Sequence, residues 1–146
     1  MCICIKWIEL SLFYKIKMAQ IKIYGRSTFV SELKKSISDA MHECTVNILG
    51  LPQEKRFHRF FELKDEDFVH PDDRSGKYLI LEISIISGRS KETKKNYIRG
   101  LIMVLNEKCS IPVNDIEITL LENPKENWGI RGMPADELKL NYKVEK

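Results

Sequence analysis

The sequence predicts an α/β (α+β) fold in which two tandem β-α-β units form one four-stranded sheet with two helices on one face. A weak internal repeat is the first observation behind this prediction. Gly-Arg-Ser occurs at 25–27 and again at 88–90, and each copy is followed by a lysine-rich stretch. The order strand, turn, amphipathic helix, proline, strand is the second. A helical crossover makes the two strands of each unit parallel.

The strand and helix of each unit are predicted from hydrophobic spacing. Ile21 and Ile23 precede the first Gly-Arg-Ser, and Ile83 and Ile85 precede the second. Apolar residues then recur at helical spacing, which predicts helices that bury one face on the sheet. They are Leu33, Ile37, Ala40, Met41, Cys44 and Ile48 in the first unit and Tyr97, Leu101, Val104 and Leu105 in the second.

A proline marks the end of each helix and a strand follows it. Pro52 precedes the run 57–61, and Pro112 precedes the run 116–121. A proline disfavours helix in the residue before it, so both helices are expected to end there. Glu62 and Glu122 each lie 10 residues after their proline (62 − 52 and 122 − 112), so the two units match in length here.

The face of the sheet opposite the helices is expected to be uncovered within one chain. We place Ile21, Ile23, Leu81 and Ile83 on that face. An uncovered apolar face of this kind predicts that the protein forms an oligomer.

The chain divides into an extension and one domain. Residues 1–17 are read as an N-terminal extension, and Met18 is an alternative start of translation. Residues 18–146 form the domain, with halves at about 19–63 and 78–132 separated by a surface loop. A glycine-rich hairpin is expected next, and then an edge strand over 136–146.

Composition excludes several classes of function. The net charge is +3, with 43% hydrophobic and 31% charged residues, which is a globular composition without the basic stripe that binds nucleic acid. No apolar run is long enough to cross a membrane. The four cysteines and three histidines show no metal-ligand spacing. We therefore expect a cytoplasmic protein without metal or cofactor.

The second unit carries the most specific motif. Its Gly-Arg-Ser, Pro112 and Glu122 are followed by Trp-Gly-Ile-Arg-Gly at 128–132. This combination resembles the 4-oxalocrotonate tautomerase group of the tautomerase superfamily, and the double length resembles its malonate semialdehyde decarboxylase-like branch. The resemblance implies a tautomerase-like β-α-β fold, a homotrimer, and pockets at the subunit boundaries. It also implies an N-terminal proline that transfers protons and arginines that hold a substrate carboxylate.

Residue by residue, the resemblance assigns a catalytic role to Ala19, which becomes the N-terminus if translation starts at Met18 and that methionine is removed. Arg26 and Arg89 match the arginine of the family motif, and Trp128 matches its pocket aromatic residue. Proline is absent before Pro52, so the catalytic amine would be a primary one.

A second carboxylate-binding arginine of the family falls on Phe57 in the first unit and on Glu117 in the second. Arg56 and Arg59, close to Phe57, are the candidates to replace it, because a guanidinium fork suits a carboxylate.

The resemblance thus implies keto-enol tautomerisation of a small α-keto or enol carboxylate. Ala19 would be catalytic, and Arg89, Arg26, Arg56 and Trp128 would bind the substrate. The alternative is a catalytically inactive member of the superfamily that acts as an oligomeric ligand-binding or scaffold protein.

Overall fold

The computed structural model describes residues 18–138, so the extension 1–17 lies outside the described residues. The elements follow each other in the order β1 Ala19–Arg26, α1 Ser27–Val30, α2 Lys34–Leu49, β2 His58–Leu63, β3 Leu79–Ile86, α3 Lys91–Cys109, β4 Ile116–Asn123, β5 Gly129–Ile130 and β6 Met133–Pro134. The fold class of two tandem β-α-β units is confirmed.

The four long strands form one mixed sheet in the order β2-β1-β3-β4. β1 pairs in parallel with β2, and β3 pairs in parallel with β4, as the helical crossovers require. The two units meet along an antiparallel ladder in which Ala19 is opposite Ile85 and Gly25 is opposite Leu79. The start of β1 therefore lies beside the end of β3, and the end of β1 lies beside the start of β3.

The core lies between the sheet and the helices α2 and α3. Ile21, Ile23, Leu81 and Ile83 belong to it and are at most 1% exposed. Their expected position on the uncovered face is therefore wrong. Side chains alternate along a strand, and a sheet covered on one side buries only one of its two sets. The helices cover the apolar set, and the open face carries mainly polar side chains, among them Gln20, Lys22, Tyr24, Glu82 and Ser84.

The two Gly-Arg-Ser turns differ in their backbone. In the first unit the strand continues through Arg26, and the short helix α1 begins at the next residue. In the second unit β3 ends at Ile86, three residues before Arg89. Ser90 then caps α3 by accepting a hydrogen bond from the backbone N–H of Thr93 at 3.1 Å. The Arg26 side chain thus leaves from a strand, whereas the Arg89 side chain leaves from a turn.

A 3-10 turn and a buried aromatic residue follow each outer strand. Asp65–Asp67 and Phe68 follow β2, and Lys125–Asn127 and Trp128 follow β4. Behind Trp128, β5 and β6 pair as the predicted hairpin.

The predicted C-terminal edge strand lies partly outside the described residues. Its residues 139–146 are not described, and its described part, 136–138, does not form a strand. Instead, a 3-10 turn spans Ala135–Glu137.

Candidate active site

Ala19 begins β1 and is buried at the end of the sheet where β3 finishes. Trp128 is brought to the same end by the hairpin, whose Ala135 N–H donates to the Trp128 carbonyl at 2.8 Å. A small apolar cluster forms there from Met18, Ile86, Trp128 and Ala135, with Ile130 packed against it. The indole therefore walls the space occupied by Met18, the residue directly before Ala19.

Arg89 lies at this same end of the sheet. Its Nη1 donates to the carbonyl of Ile86 at 3.2 Å, and Ile86 follows the residue opposite Ala19. Its Nε and Nη2 are buried and have no hydrogen-bond partner among the described residues. Burial lowers the pKa of Arg89, and the negative potentials of Tyr97 and Glu122 oppose that shift. A desolvated guanidinium with vacant donors favours binding of an anion.

Glu122 does not neutralise Arg89 directly, because its carboxylate pairs with Lys94. Both partners of that ion pair are partly exposed, as expected for an ion pair at the rim of a site. Nε and Nη2 of Arg89 thus keep no carboxylate partner among the described residues, and both atoms are buried.

Two cavities open next to Ala19, and Gln20 lines both of them. The first has a volume of about 280 Å³ and is lined by Gln20, Ser84, Asn123, Asn127, Trp128 and Gly129. The second has a volume of about 310 Å³ and is lined by Gln20, Arg56, Phe57, His58 and Arg59. Trp128 and Arg56 therefore lie in two different cavities that meet at Gln20.

Sequence reasoning missed the amide and hydroxyl groups of the first cavity. Gln20 and Ser84 belong to the open-face set of β1 and β3, and they are opposite each other in the ladder. Alternation of polar residues with Ile21 and Ile83 could have identified them, because period-2 spacing separates the two faces of a strand. Asn123 and Asn127 carry no comparable signal.

Arg56 is engaged with a carboxylate of the chain itself. Its Nη1 lies 2.6 Å from Oδ1 of Asp39. Hydrogen bonds from Lys35 and Arg56 lower the pKa of Asp39 to about 2. Arg59, by contrast, donates to Oε1 of Gln20 at 3.2 Å, so it reaches the residue that both cavities share.

His58 lines the second cavity and also contacts α2. Its Nδ1 is 2.8 Å from the Ser38 hydroxyl on α2. Burial lowers its pKa to about 4, and the nearby His42 and Arg56 act in the same direction while Asp39 opposes them. His58 is therefore neutral near pH 7 and adds no charge to the cavity.

Arg26 is separated from Ala19 in the chain. The two residues are the last and first of β1, so they lie roughly 23 Å apart along the strand. The guanidinium of Arg26 instead meets the loop that joins the two units. Its Nη2 is 3.2 Å from Nε2 of His70, and its Nε is 3.7 Å from Oδ1 of Asp65.

The Arg26 end repeats the composition of the Ala19 end. Phe68 precedes Trp128 by 60 residues, and Tyr78 follows Met18 by 60 residues, which is also the distance between the two prolines. Phe68 and Tyr78 stack with ring centroids 5.3 Å apart. Phe68 is thus the counterpart of Trp128 in the first unit, which the sequence alone had not revealed. The shared offset of 60 was the signal that could have found it.

The Ala19 end combines an apolar wall and small polar groups that line a cavity with the desolvated guanidinium of Arg89, which lines neither cavity. These are the groups that suit a small carboxylate with a short organic body. Among residues 18–138, no three His, Cys, Asp or Glu side chains are grouped to hold a metal ion. Within that same range, no helix has the length and hydrophobicity needed to cross a membrane.

Comparison with known families identifies this class of protein. A family model described as tautomerase enzyme matches residues 55–131, which is 77 of the 146 residues. The chain belongs to this family, and membership supports a tautomerase-like catalytic function.

Two relatives illustrate the similarity. The 2-hydroxymuconate tautomerase of Pseudomonas putida is 39% identical over 57 residues, which cover 39% of this chain and 90% of that protein. A probable tautomerase of Bacillus subtilis is 26% identical over 103 residues, which cover 67% of this chain and 78% of that protein.

Solved structures share the fold over most of the chain. Malonate semialdehyde decarboxylase superposes with a TM-score of 0.68 at 24% identity, covering 76% of this chain and 89% of that chain. Native fused 4-OT superposes with a TM-score of 0.72 at 19% identity, covering 82% of this chain and 98% of that chain. At these identities the likeness shows the fold alone.

Proposed function

We propose that the protein interconverts the enol and keto forms of a small α-keto carboxylate at the Ala19 end of the sheet. One observation carries this proposal. Arg89 presents two buried donors without partners at the end of the sheet where Ala19 and Trp128 lie. A carboxylate satisfies such donors through charge-assisted hydrogen bonds. The indole of Trp128 then shields the carbon skeleton from water.

The proton is carried by the α-amine of Ala19 in a chain that begins there. An α-amine titrates at about 7.7–8.0, and burial next to a cation lowers its pKa further, so it is an unprotonated base near pH 7. It takes the hydroxyl proton of the enol, and the resulting ammonium returns a proton to the adjacent carbon. Arg89 stabilises the negative charge that develops on the oxygen.

Met18 determines whether this chemistry is available. Its side chain fills the apolar cluster with Trp128, and while it is attached the nitrogen of Ala19 is an amide without basicity. Removal of Met18 frees the amine and vacates an apolar space of the size of a methionine side chain.

Arg56 lines the neighbouring cavity as a secondary contact, although it already forms an ion pair with Asp39. Within one chain Arg26 lies at the other end of β1 from Ala19, so the proposal does not use it.

The experiment uses chains that begin at Ala19 and the enol of phenylpyruvate as substrate. We expect Ala19→Pro to raise kcat roughly 10-fold or more, because the ring fixes the direction of the lone pair. We expect Arg89→Ala to lower kcat/KM by about 10- to 100-fold, since charge-assisted hydrogen bonds are lost. Arg99→Ala, which removes an exposed arginine of α3, is the matched control, and it should leave both constants unchanged.

The absence of proline at the start of β1 favours the second candidate, an inactive member of the family that binds ligands or acts as a scaffold. The same experiment separates the two. If kcat changes neither with Ala19→Pro nor when Met18 is retained, the catalytic proposal is contradicted. If carboxylate binding still depends on Arg89 in that case, the ligand-binding candidate is preferred.

A homotrimer is the assembly we propose. Related fused 4-OT structures are described as asymmetric and symmetric trimers, which supports it. Light scattering should return three times the 17.1 kDa of one chain. A stable folded monomer would contradict the assembly.

A cytoplasmic location also belongs to the proposal, since Cys44 and Cys109 are buried as free thiols.

A further inference from the structure

Arg26 has no role in the proposed reaction, yet its surroundings repeat those of Arg89. Each arginine comes from a Gly-Arg-Ser turn and lies at the end of the sheet that also holds a buried aromatic residue after a 3-10 turn. The antiparallel pairing of β1 with β3 puts these two ends opposite each other. The Arg26 end is thus the counterpart of the carboxylate site proposed at Arg89.

What occupies the Arg26 end is a side chain of the protein itself. Arginine has only donors, so Nε2 of His70 accepts the hydrogen bond from Arg26 at 3.2 Å. Nδ1 of His70 then carries the hydrogen and donates it to the Pro71 carbonyl at 3.0 Å. The imidazole packs edge-on against the rings of Phe68 and Tyr78, at centroid distances of 5.6 and 5.0 Å. His70 is therefore held as a neutral acceptor in front of the guanidinium.

A neutral ring satisfies Arg26 incompletely. Nε of Arg26 is buried and has no hydrogen-bond acceptor among the described residues. The nearest carboxylate oxygen, on Asp65, is 3.7 Å away, and that side chain is 70% exposed. A carboxylate in the place of the imidazole would accept two charge-assisted hydrogen bonds, which are stronger than one bond to a neutral nitrogen.

We propose that the Arg26 end is a second binding site for a small carboxylate, which His70 keeps occupied. A monocarboxylate no larger than an imidazole ring, such as formate or acetate, fits the space that the ring fills. Its binding to the native protein competes with His70 for Arg26. This proposal does not depend on the Ala19 amine or on turnover.

The test measures formate binding by calorimetry in a chain that carries Arg89→Ala, so that the first site is silent. We expect His70→Ala in this background to bind one equivalent of formate, about 10- to 100-fold more tightly than the parent does. Adding Arg26→Ala should abolish that binding. The matched control is His70→Gln, whose amide oxygen still accepts from Arg26 and should keep the site closed.

Imidazole provides a second measurement on the same variant. Free imidazole should compete with formate and raise the thermal midpoint of the His70→Ala chain, because it restores the lost acceptor. If that chain unfolds at room temperature, formate or imidazole should restore its folded signal, and failure of both to do so overturns the proposal. Formate binding that survives Arg26→Ala, or no binding by the folded His70→Ala chain, also overturns it. Because Arg89 is absent throughout, these results are independent of the proposed tautomerase site.

Discussion

The two ends of the sheet are built from equivalent parts but differ in what fills them. At one end Trp128 and Met18 form an apolar cluster, and Arg89 keeps two donors vacant. At the other end Tyr78 lies in the position equivalent to Met18, and Arg26 donates to a histidine of the chain. Duplication of a β-α-β unit produces two candidate sites, and the surrounding chain decides which of them is open.

The connecting segments explain this difference. The chain that leaves β2 must return to the start of β3, so residues 64–77 pass over the Arg26 end. Asp115 fixes this loop by accepting hydrogen bonds from the backbone and the hydroxyl of Ser75. The chain that leaves β4 has no later strand of the sheet to reach among the described residues, and it turns back as the short β5–β6 hairpin. That end consequently keeps its cavities.

The two ends of the sheet should differ most in how their turn glycines, Gly25 and Gly88, tolerate substitution, measured as the change in the free energy of unfolding. A Cβ on Gly25 would lie 2.3 Å from Cγ2 of Val30 and 3.2 Å from Cδ1 of Leu79, whereas a Cβ on Gly88 would meet nothing within 4 Å. We expect Gly25→Ala to lower the free energy of unfolding by about 3 kcal/mol through overpacking. Gly88→Ala, where φ is +132°, should cost only about 1 kcal/mol of backbone strain.

Urea unfolding of both variants measures this difference. Combining Gly25→Ala with Val30→Ala should recover part of the loss, because the truncated side chain no longer clashes. Equal destabilisation by the two glycine variants would show that the first turn is less tightly packed than the distances indicate.

A second effect is expected from the histidine near the Ala19 end. Burial lowers the pKa of His58 from 6.5 to about 4, so the native state binds fewer protons than the unfolded state between these values. The stability from this difference is complete above pH 6.5 and is lost as the pH falls toward 4. The slope approaches about 1.4 kcal/mol per pH unit, and the total is about 3 kcal/mol.

Thermal or urea unfolding across pH 4 to 7 measures that slope. His58→Gln should flatten it, since the variant has no titrating ring. Asp39 loses its contribution mainly between its ordinary pKa of 3.8 and its native pKa of about 2, so it overlaps only the acid end of this window. An unchanged slope in His58→Gln would assign the pH dependence to other groups.

The helices and strands could be predicted from local patterns, but the faces of the sheet were assigned wrongly. Spacing of apolar residues located both helices, and the prolines located their ends. Alternation could have separated Ile21 and Ile23 from Gln20 and Lys22, yet it does not state which set the helices cover. The free-energy cost of burying polar side chains decides this, because the set buried between sheet and helices has to be the apolar one.

The sequence by itself determined the fold. Its repeat determined the two β-α-β units, and its motif pointed to Arg89 and Trp128. The tertiary structure alone decided that Arg89 and Trp128 lie at the Ala19 end of the sheet and that Arg56 pairs with Asp39. These facts depend on strand pairing between distant segments and on contacts between a helix and a strand edge. Neither the strand pairing nor these contacts can be predicted from local residue spacing, because the partners are brought together only when the sheet is assembled.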